Sequence, residues 1–143
     1  MTALVIIILM AAAPATYPVT RIIDGDTIEV ATQYGNLEKK EIVRLVGVDA
    51  PEKDAPYAAE SKGWLTNLLS GETVTLTFDD SEVPVRDRYG RILAYIYREE
   101  CDVCAESIRQ GYAKAWRGKY GRRPEFIETE RVAQDKSKGL WRD

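Results

Sequence analysis

The order in which periodic segments follow one another constrains this chain more than any other feature. Tyr17 to Ile23 alternates toward a strand, and Asp24-Gly25 signals a tight turn. Thr27 to Ala31 resumes the alternation, Tyr34-Gly35-Asn36 turns it back, and Glu41 to Val48 supplies a third strand rich in Val and Ile. Ala58 to Leu69 switches to helical spacing, with Ser61, Trp64, Leu65, Leu68 and Leu69 on one side and Gly71 as a stop. Thr73 to Phe78 and Arg91 to Tyr97 return to strands. Asp102 caps a helix expected to run to about Trp116, and a last helix starts near Pro124 and ends before Gly139, with Leu140 and Trp141 docking back on the core. The chain is thus mainly β with α. Three strands in hairpin succession, a helix and two more strands form the order expected of a five-stranded OB-fold barrel, here with three helices. Helices placed in this way leave one barrel face open for a ligand.

The chain has 143 residues, enough for one domain with a core of its own. Its formal net charge is -3, so no global basic field announces a polyanionic partner, and any positive charge that acts on one must be local or supplied by a bound cation. Histidine is absent. Acid–base chemistry therefore falls to a carboxylate, a coordinated water or another side chain, not to an imidazole.

Residues 1–15 differ in character from the rest. They carry no charged side chain, and the apolar run Leu4 to Met10 is too short to span a bilayer. Small residues follow in Ala11-Ala12-Ala13-Pro14-Ala15, so the segment reads as a signal peptide cleaved near Ala13 or Ala15 and places residues 16–143 as a single exported domain, secreted or periplasmic. The missing basic residue ahead of the run leaves two other readings open, a buried N-terminal strand or a start codon placed too far downstream. Export would allow a disulfide between Cys101 and Cys104. Cys104 also falls on an apolar helical stripe with Ile108, Tyr112 and Ala115, so a small core residue beside a turn cysteine is an equal reading. A lone C-x-x-C lacks the further ligands that a zinc site needs.

Three segments carry candidate chemistry: Asp24-Gly25-Asp26-Thr27, Arg44 to Glu52, and Asp87-Arg88-Tyr89-Gly90-Arg91. Together they offer carboxylates for a hard cation and guanidinium forks for a phosphate. Asp26 follows the first turn and Asp49 ends the third strand. Strict alternation puts Arg44 and Asp49 on opposite faces, so they converge only if the strand ends or bulges near Gly47. Two nearby aspartates repel unless a cation neutralises them, and oxygen donors favour calcium or magnesium over zinc. Arg44 and Arg91 come from different strands and can straddle a phosphate. Glu52 is placed to orient or deprotonate a water, and Tyr89 to bond a phosphate or stack on a base. Singly, each segment has a plain explanation: a hairpin turn, a salt-bridged strand residue, a helix entry, a charged loop. Their order and mutual placement carry the reading.

As a set, these segments resemble the staphylococcal nuclease (thermonuclease) family. The similarity runs from about Thr20 to Trp141 and includes Ile108 to Lys114 and Lys138-Gly139-Leu140-Trp141. It implies an OB-fold barrel with three helices and calcium-dependent cleavage of DNA and RNA that leaves 3′-phosphates. By position, Asp26 and Asp49 would bind Ca2+, with the backbone carbonyl of Ala50 as a further ligand where threonine is common. Arg44 and Arg91 would bind the phosphate, Glu52 would activate the water, and Tyr89 and Tyr120 would line the nucleotide pocket. The basic loop that some relatives carry after the metal segment is shortened here to Lys53-Asp54-Ala55-Pro56, which implies lower substrate affinity.

The expectation is a monomeric, calcium-dependent phosphodiesterase acting on single-stranded or frayed DNA and RNA, with no stable membrane span. A non-catalytic nucleic-acid-binding module of the same fold is the alternative, and a calcium-stabilised structural domain a third reading. Retention of Asp26, Arg44, Asp49, Glu52 and Arg91 separates the first from the second.

Overall fold

The computed structural model describes residues 15–34 and 37–143. All of the expected signal peptide except Ala15, and Gly35 and Asn36 of the second turn, lie outside the described residues. The elements in chain order are β1 (Thr16–Asp24), β2 (Thr27–Tyr34), β3 (Leu37–Leu45), β4 (Val48–Asp49), α1 (Ala58–Leu69), β5 (Thr73–Thr77), β6 (Val85–Arg86), β7 (Ile92–Arg98), β8 (Cys101–Asp102), α2 (Val103–Arg109), β9 (Lys114–Ala115) and α3 (Arg123–Asp135), followed by a 3-10 turn at Gly139–Trp141.

The first three strands form the expected meander. Two features then close the sheet into a five-stranded barrel with three helices, as expected of an OB-fold. First, β1 serves two neighbours: Val19 to Asp24 pair with β2, while Thr16 to Pro18 pair with β5. Register shifts between Val19 and Arg21, and between Ile22 and Asp24, bend it, as bulges do. Second, β3 pairs with β7 in parallel, Val43 to Leu45 against Ile92 to Ala94, and β7 pairs with β5. The inward positions of the alternating strands, among them Ile28, Val30, Val43, Leu45, Val74, Ala94 and Ile96, are fully buried. On α1, Ser61, Leu65 and Leu69 are buried, and Trp64 and Leu68 pack on the core from its margin.

The third strand ends earlier than its sequence suggested. It stops at Leu45, and Val48–Asp49 form a separate element paired with β9. The second helix is also shorter than expected. It ends at Arg109 rather than near Trp116, because Gly111 adopts φ +78° and closes it: the Tyr112 N–H donates to Ser107 O and the Gly111 N–H to Ile108 O. Only Cys104 and Ile108 of the apolar stripe therefore lie on the helix, both fully buried. Asp102 caps it as expected, accepting from the Ala105 N–H at 3.2 Å. Both cysteines are free thiols, and burial pushes that of Cys104 up to about 12. Leu140 and Trp141 do dock back, half-buried, with the Leu140 N–H donating to Gly111 O at 2.8 Å. No helix among the described residues is long and apolar enough to cross a membrane.

Candidate active site

The Asp24-Gly25 turn delivers Asp26 to the base of the barrel mouth, where it is 8% exposed. The turn is held by its own first residue, Asp24 Oδ1 accepting from the Asp26 N–H at 3.0 Å. The Asp26 carboxylate is then fixed at both oxygens. Oδ1 accepts from the Thr27 hydroxyl at 2.9 Å, and Oδ2 from the Ala50 N–H at 3.0 Å, with Arg44 Nη2 3.3 Å away. Burial raises the Asp26 carboxyl to about 6; Arg44 opposes the rise and Asp24 adds to it. Asp26 is therefore a buried carboxylate short of positive charge.

Gly47 makes the convergence of Arg44 and Asp26 with the Asp49 segment possible. Its φ of +78° turns the chain out of β3, and a Cβ there would lie 2.5 Å from the Tyr120 ring and 2.6 Å from that of Phe126. Arg44 braces the turn from inside: Nη1 donates to Leu45 O at 2.8 Å and to Val48 O at 2.7 Å. Beyond the turn, Asp49 is exposed and has no carboxylate-binding partner among the described residues, Ala50 is buried, and Glu52 is exposed.

The expected residues divide between two neighbouring clefts. The larger, about 530 Å³, is lined by Arg44, Tyr89, Arg91 and Tyr120 together with Trp116 and Lys119. The smaller, about 290 Å³, is lined by Asp49, Ala50 and Glu52 together with Lys114 and Leu140. Asp26 joins the two, since it bonds Arg44 on one side and the Ala50 N–H on the other. Arg91 shares a cleft with Arg44 but does not touch the acids expected around a metal; its Nε donates to Asp87 Oδ2 at 2.7 Å. At Asp87 burial acts to raise the carboxyl, and the Arg91 side chain and the Arg91 and Tyr89 N–H groups more than reverse it, so it stays below the usual aspartate value. Tyr89 is 68% exposed, with the Arg88 and Arg91 guanidinium groups 4.9 and 5.4 Å from its ring centroid. Tyr120 donates to Trp116 O at 2.9 Å and stacks on the Trp116 ring at 5.9 Å.

Trp116 and Lys119 are cleft residues that sequence reasoning missed: Trp116 falls at the expected end of a helix, and Lys119 in the loop after it carries no motif of its own. The signal was there in Gly111. Glu130 of α3, 3% exposed, completes the departure from helix by accepting from the Ala115 N–H at 3.0 Å and pairing with Arg117, which ties β9 to α3.

The donor set suits a hard cation. It consists of oxygens alone: a buried carboxylate short of positive charge at Asp26, an unpaired one at Asp49, and the backbone of Ala50 between them. Among the described residues no three acids, cysteines or histidines gather as a complete ligand cluster, so water or substrate oxygens would have to fill the remaining positions.

Several known proteins are similar to this chain in sequence. A sequence model described as staphylococcal nuclease homologue matches residues 42–143. An "Uncharacterized endonuclease" of Escherichia coli is 36% identical over 126 residues, 87% of this chain and 76% of that protein. A "Thermonuclease" of Staphylococcus hyicus is 32% identical over 134 residues, 88% of this chain and 75% of that protein. A "Probable staphylococcal-like nuclease" of rice (Oryza sativa subsp. japonica) is 35% identical over 106 residues, 73% of this chain and 26% of that protein.

Proposed function

The chain belongs to the staphylococcal nuclease family and is a nuclease at that level, and from that premise we propose that it is a calcium-dependent hydrolase of phosphodiester bonds in single-stranded or frayed DNA and RNA, working as a monomer in a secreted or periplasmic setting. The observation that carries the reading is Arg44, which touches the buried Asp26 carboxylate and lines the larger cleft alongside Arg91, Tyr89 and Tyr120. Export rests on the uncharged, apolar residues 1–15, and N-terminal sequencing of the exported product tests it.

In this reading Asp26, Asp49 and the Ala50 carbonyl would hold calcium, which would supply positive charge for the phosphate. Arg44 and Arg91 grip the phosphate oxygens and offset the negative charge that builds as water adds to phosphorus. Glu52, exposed on the neighbouring cleft, orients that water and takes its proton as the bond from phosphorus to the leaving 5′ oxygen breaks, and that oxygen departs as a hydroxyl after taking a proton from solvent; with no histidine in the chain, a carboxylate is the base at hand. Tyr89 and Tyr120 present aromatic faces to a base, and such stacking is worth about 1–3 kcal/mol.

The test is cleavage of single-stranded DNA and of RNA by the mature protein with calcium and then with chelator. Cleavage that chelator abolishes and calcium restores is expected. Cleavage indifferent to calcium would remove the metal role, and tight binding without cleavage would make the protein a non-catalytic nucleic-acid-binding module.

A further inference from the structure

The β4–β9 register sets Lys114 directly across from Asp49, so the two side chains leave the same face. Opposite charges in that relation commonly pair. Here they do not: Lys114 Nζ turns to the Trp141 ring, 5.8 Å from its centroid, and makes no ion pair among the described residues. One residue past Trp141, Arg142 repeats the arrangement, its guanidinium 4.7 Å from the centroid of the Tyr57 ring and likewise without a carboxylate partner. Most other arginines are neutralised. Arg21, Arg86, Arg98, Arg109, Arg117, Arg122 and Arg131 each meet a carboxylate.

Lys114 belongs to the smaller cleft and Arg142 flanks it in sequence. Lys114 lines it, and Tyr57 and Arg142 each lie within two residues of lining residues, Pro56 and Leu140. Of the two aromatic partners, Tyr57 is constrained twice, by stacking and by backbone. Tyr57 stacks on Tyr112 at 5.9 Å, Tyr112 stacks on Trp64 at 5.1 Å, and Tyr57 sits at φ +72°, a backbone state that non-glycine residues keep only when their surroundings enforce it. Two cations laid on aromatic rings, beside a cleft of nuclease residues, make a surface for a second phosphate.

We propose that Lys114 and Arg142 form a phosphate-binding pair at the smaller cleft, which takes the nucleotide next along the strand from the one held in the larger cleft. The inference rests on the nuclease reading above. It makes the substrate an oligonucleotide long enough to occupy both clefts, and it explains how a chain with net charge -3 grips a polyanion without a basic face.

Binding of a fluorescent eight-nucleotide oligothymidylate is measured by anisotropy against sodium chloride concentration, with calcium present and Glu52→Gln in every protein so that the strand is not cut. Adding Lys114→Gln and Arg142→Gln together weakens the eight-mer by about tenfold at low salt and flattens the slope of log affinity against log salt by about 1.4, two contacts at about 0.7 each. A dinucleotide, too short in this proposal to reach beyond the larger cleft, loses less than about twofold. A matched melting temperature shows that the double variant is folded. An unchanged slope and affinity in a folded double variant overturns the pair while leaving the nuclease reading intact. Failure of the Glu52→Gln protein to bind the eight-mer, together with failure of the wild-type protein to cut it, overturns the two together.

Discussion

Arg44 donates in three directions at once, to Leu45 O, to Val48 O and toward Asp26 Oδ2. Its removal therefore has two separable consequences. In Arg44→Ala the phosphate loses one guanidinium fork, which lowers kcat by about 10²–10³. Two part-buried carbonyls also lose their donor, which lowers folding stability by about 1–3 kcal/mol. Steady-state kinetics at saturating calcium and urea unfolding read the two effects independently. Arg44→Lys returns the charge but not the planar fork, so it recovers less activity than charge alone would give. Arg91 differs in kind. Its anchor is Asp87 in an exposed loop, and Arg91→Ala is expected to cost activity on a similar scale with a stability loss under about 1 kcal/mol. Wild-type turnover in either alanine variant would remove that arginine from the phosphate role. Residue identities of this kind were legible in the chain, because a guanidinium and a carboxylate have few functional equivalents. Their partners were not, since nothing local couples Arg44 to Val48 O or Arg91 to Asp87.

At the scale of elements, the turn at Gly47 and the pair joining β3 to β6 are the sensitive points. Gly47→Ala forces a left-handed φ on a residue with a Cβ and drives that Cβ into Tyr120 and Phe126, so it is expected to destabilise by more than about 2 kcal/mol and to shift Tyr120 out of the larger cleft. Urea unfolding and a weaker affinity for a dinucleotide check it. Glu41, buried on β3, accepts both Nη groups of Arg86 on β6, at 2.8 and 3.1 Å, and pairs with Lys39. These bonds from Arg86 hold its carboxyl below the ordinary glutamate value, against the effect of burial. A lowered folded-state value means that this stabilisation is present above the unfolded value of about 4.3 and is lost as pH falls through the folded one. Urea midpoints at pH 7 and pH 3 should therefore lie closer together in Glu41→Gln than in wild type, and equal spacing in the two proteins would refute the contribution. The long strands and α1 were legible because their alternation or helical spacing is local. The short β4 and β9 were not, because a two-residue strand has no period, and β9 exists through pairing with β4 and the Glu130 bond to the Ala115 N–H.

For the whole molecule, the strand order pointed to the barrel, while its closure depends on long-range pairings that no short window contains: β1 divided between two partners, and β3 set parallel to β7. The same holds for the site. The acids and arginines were recognisable in the chain, whereas their division between two clefts joined through Asp26 is a product of closure. This gives the proposed calcium site a thermodynamic signature. Asp26 lies in the first hairpin and Asp49 beyond Gly47, and only the folded barrel brings the Ala50 segment against Asp26. The unfolded chain has no comparable site, so calcium binds the native state and shifts the folding equilibrium toward it. At free calcium a hundredfold above the dissociation constant the gain is about 2.7 kcal/mol. For a domain of this size that corresponds to a rise in melting temperature of roughly 5–10 °C. The rise should reverse with chelator. It should fall to nearly nothing in Asp26→Asn and in Asp49→Asn, whatever those substitutions do to stability without calcium. Calorimetry with and without calcium on the three proteins decides the matter, for a melting temperature that ignores calcium in the wild-type protein would strip Asp26 and Asp49 of the role of ligands.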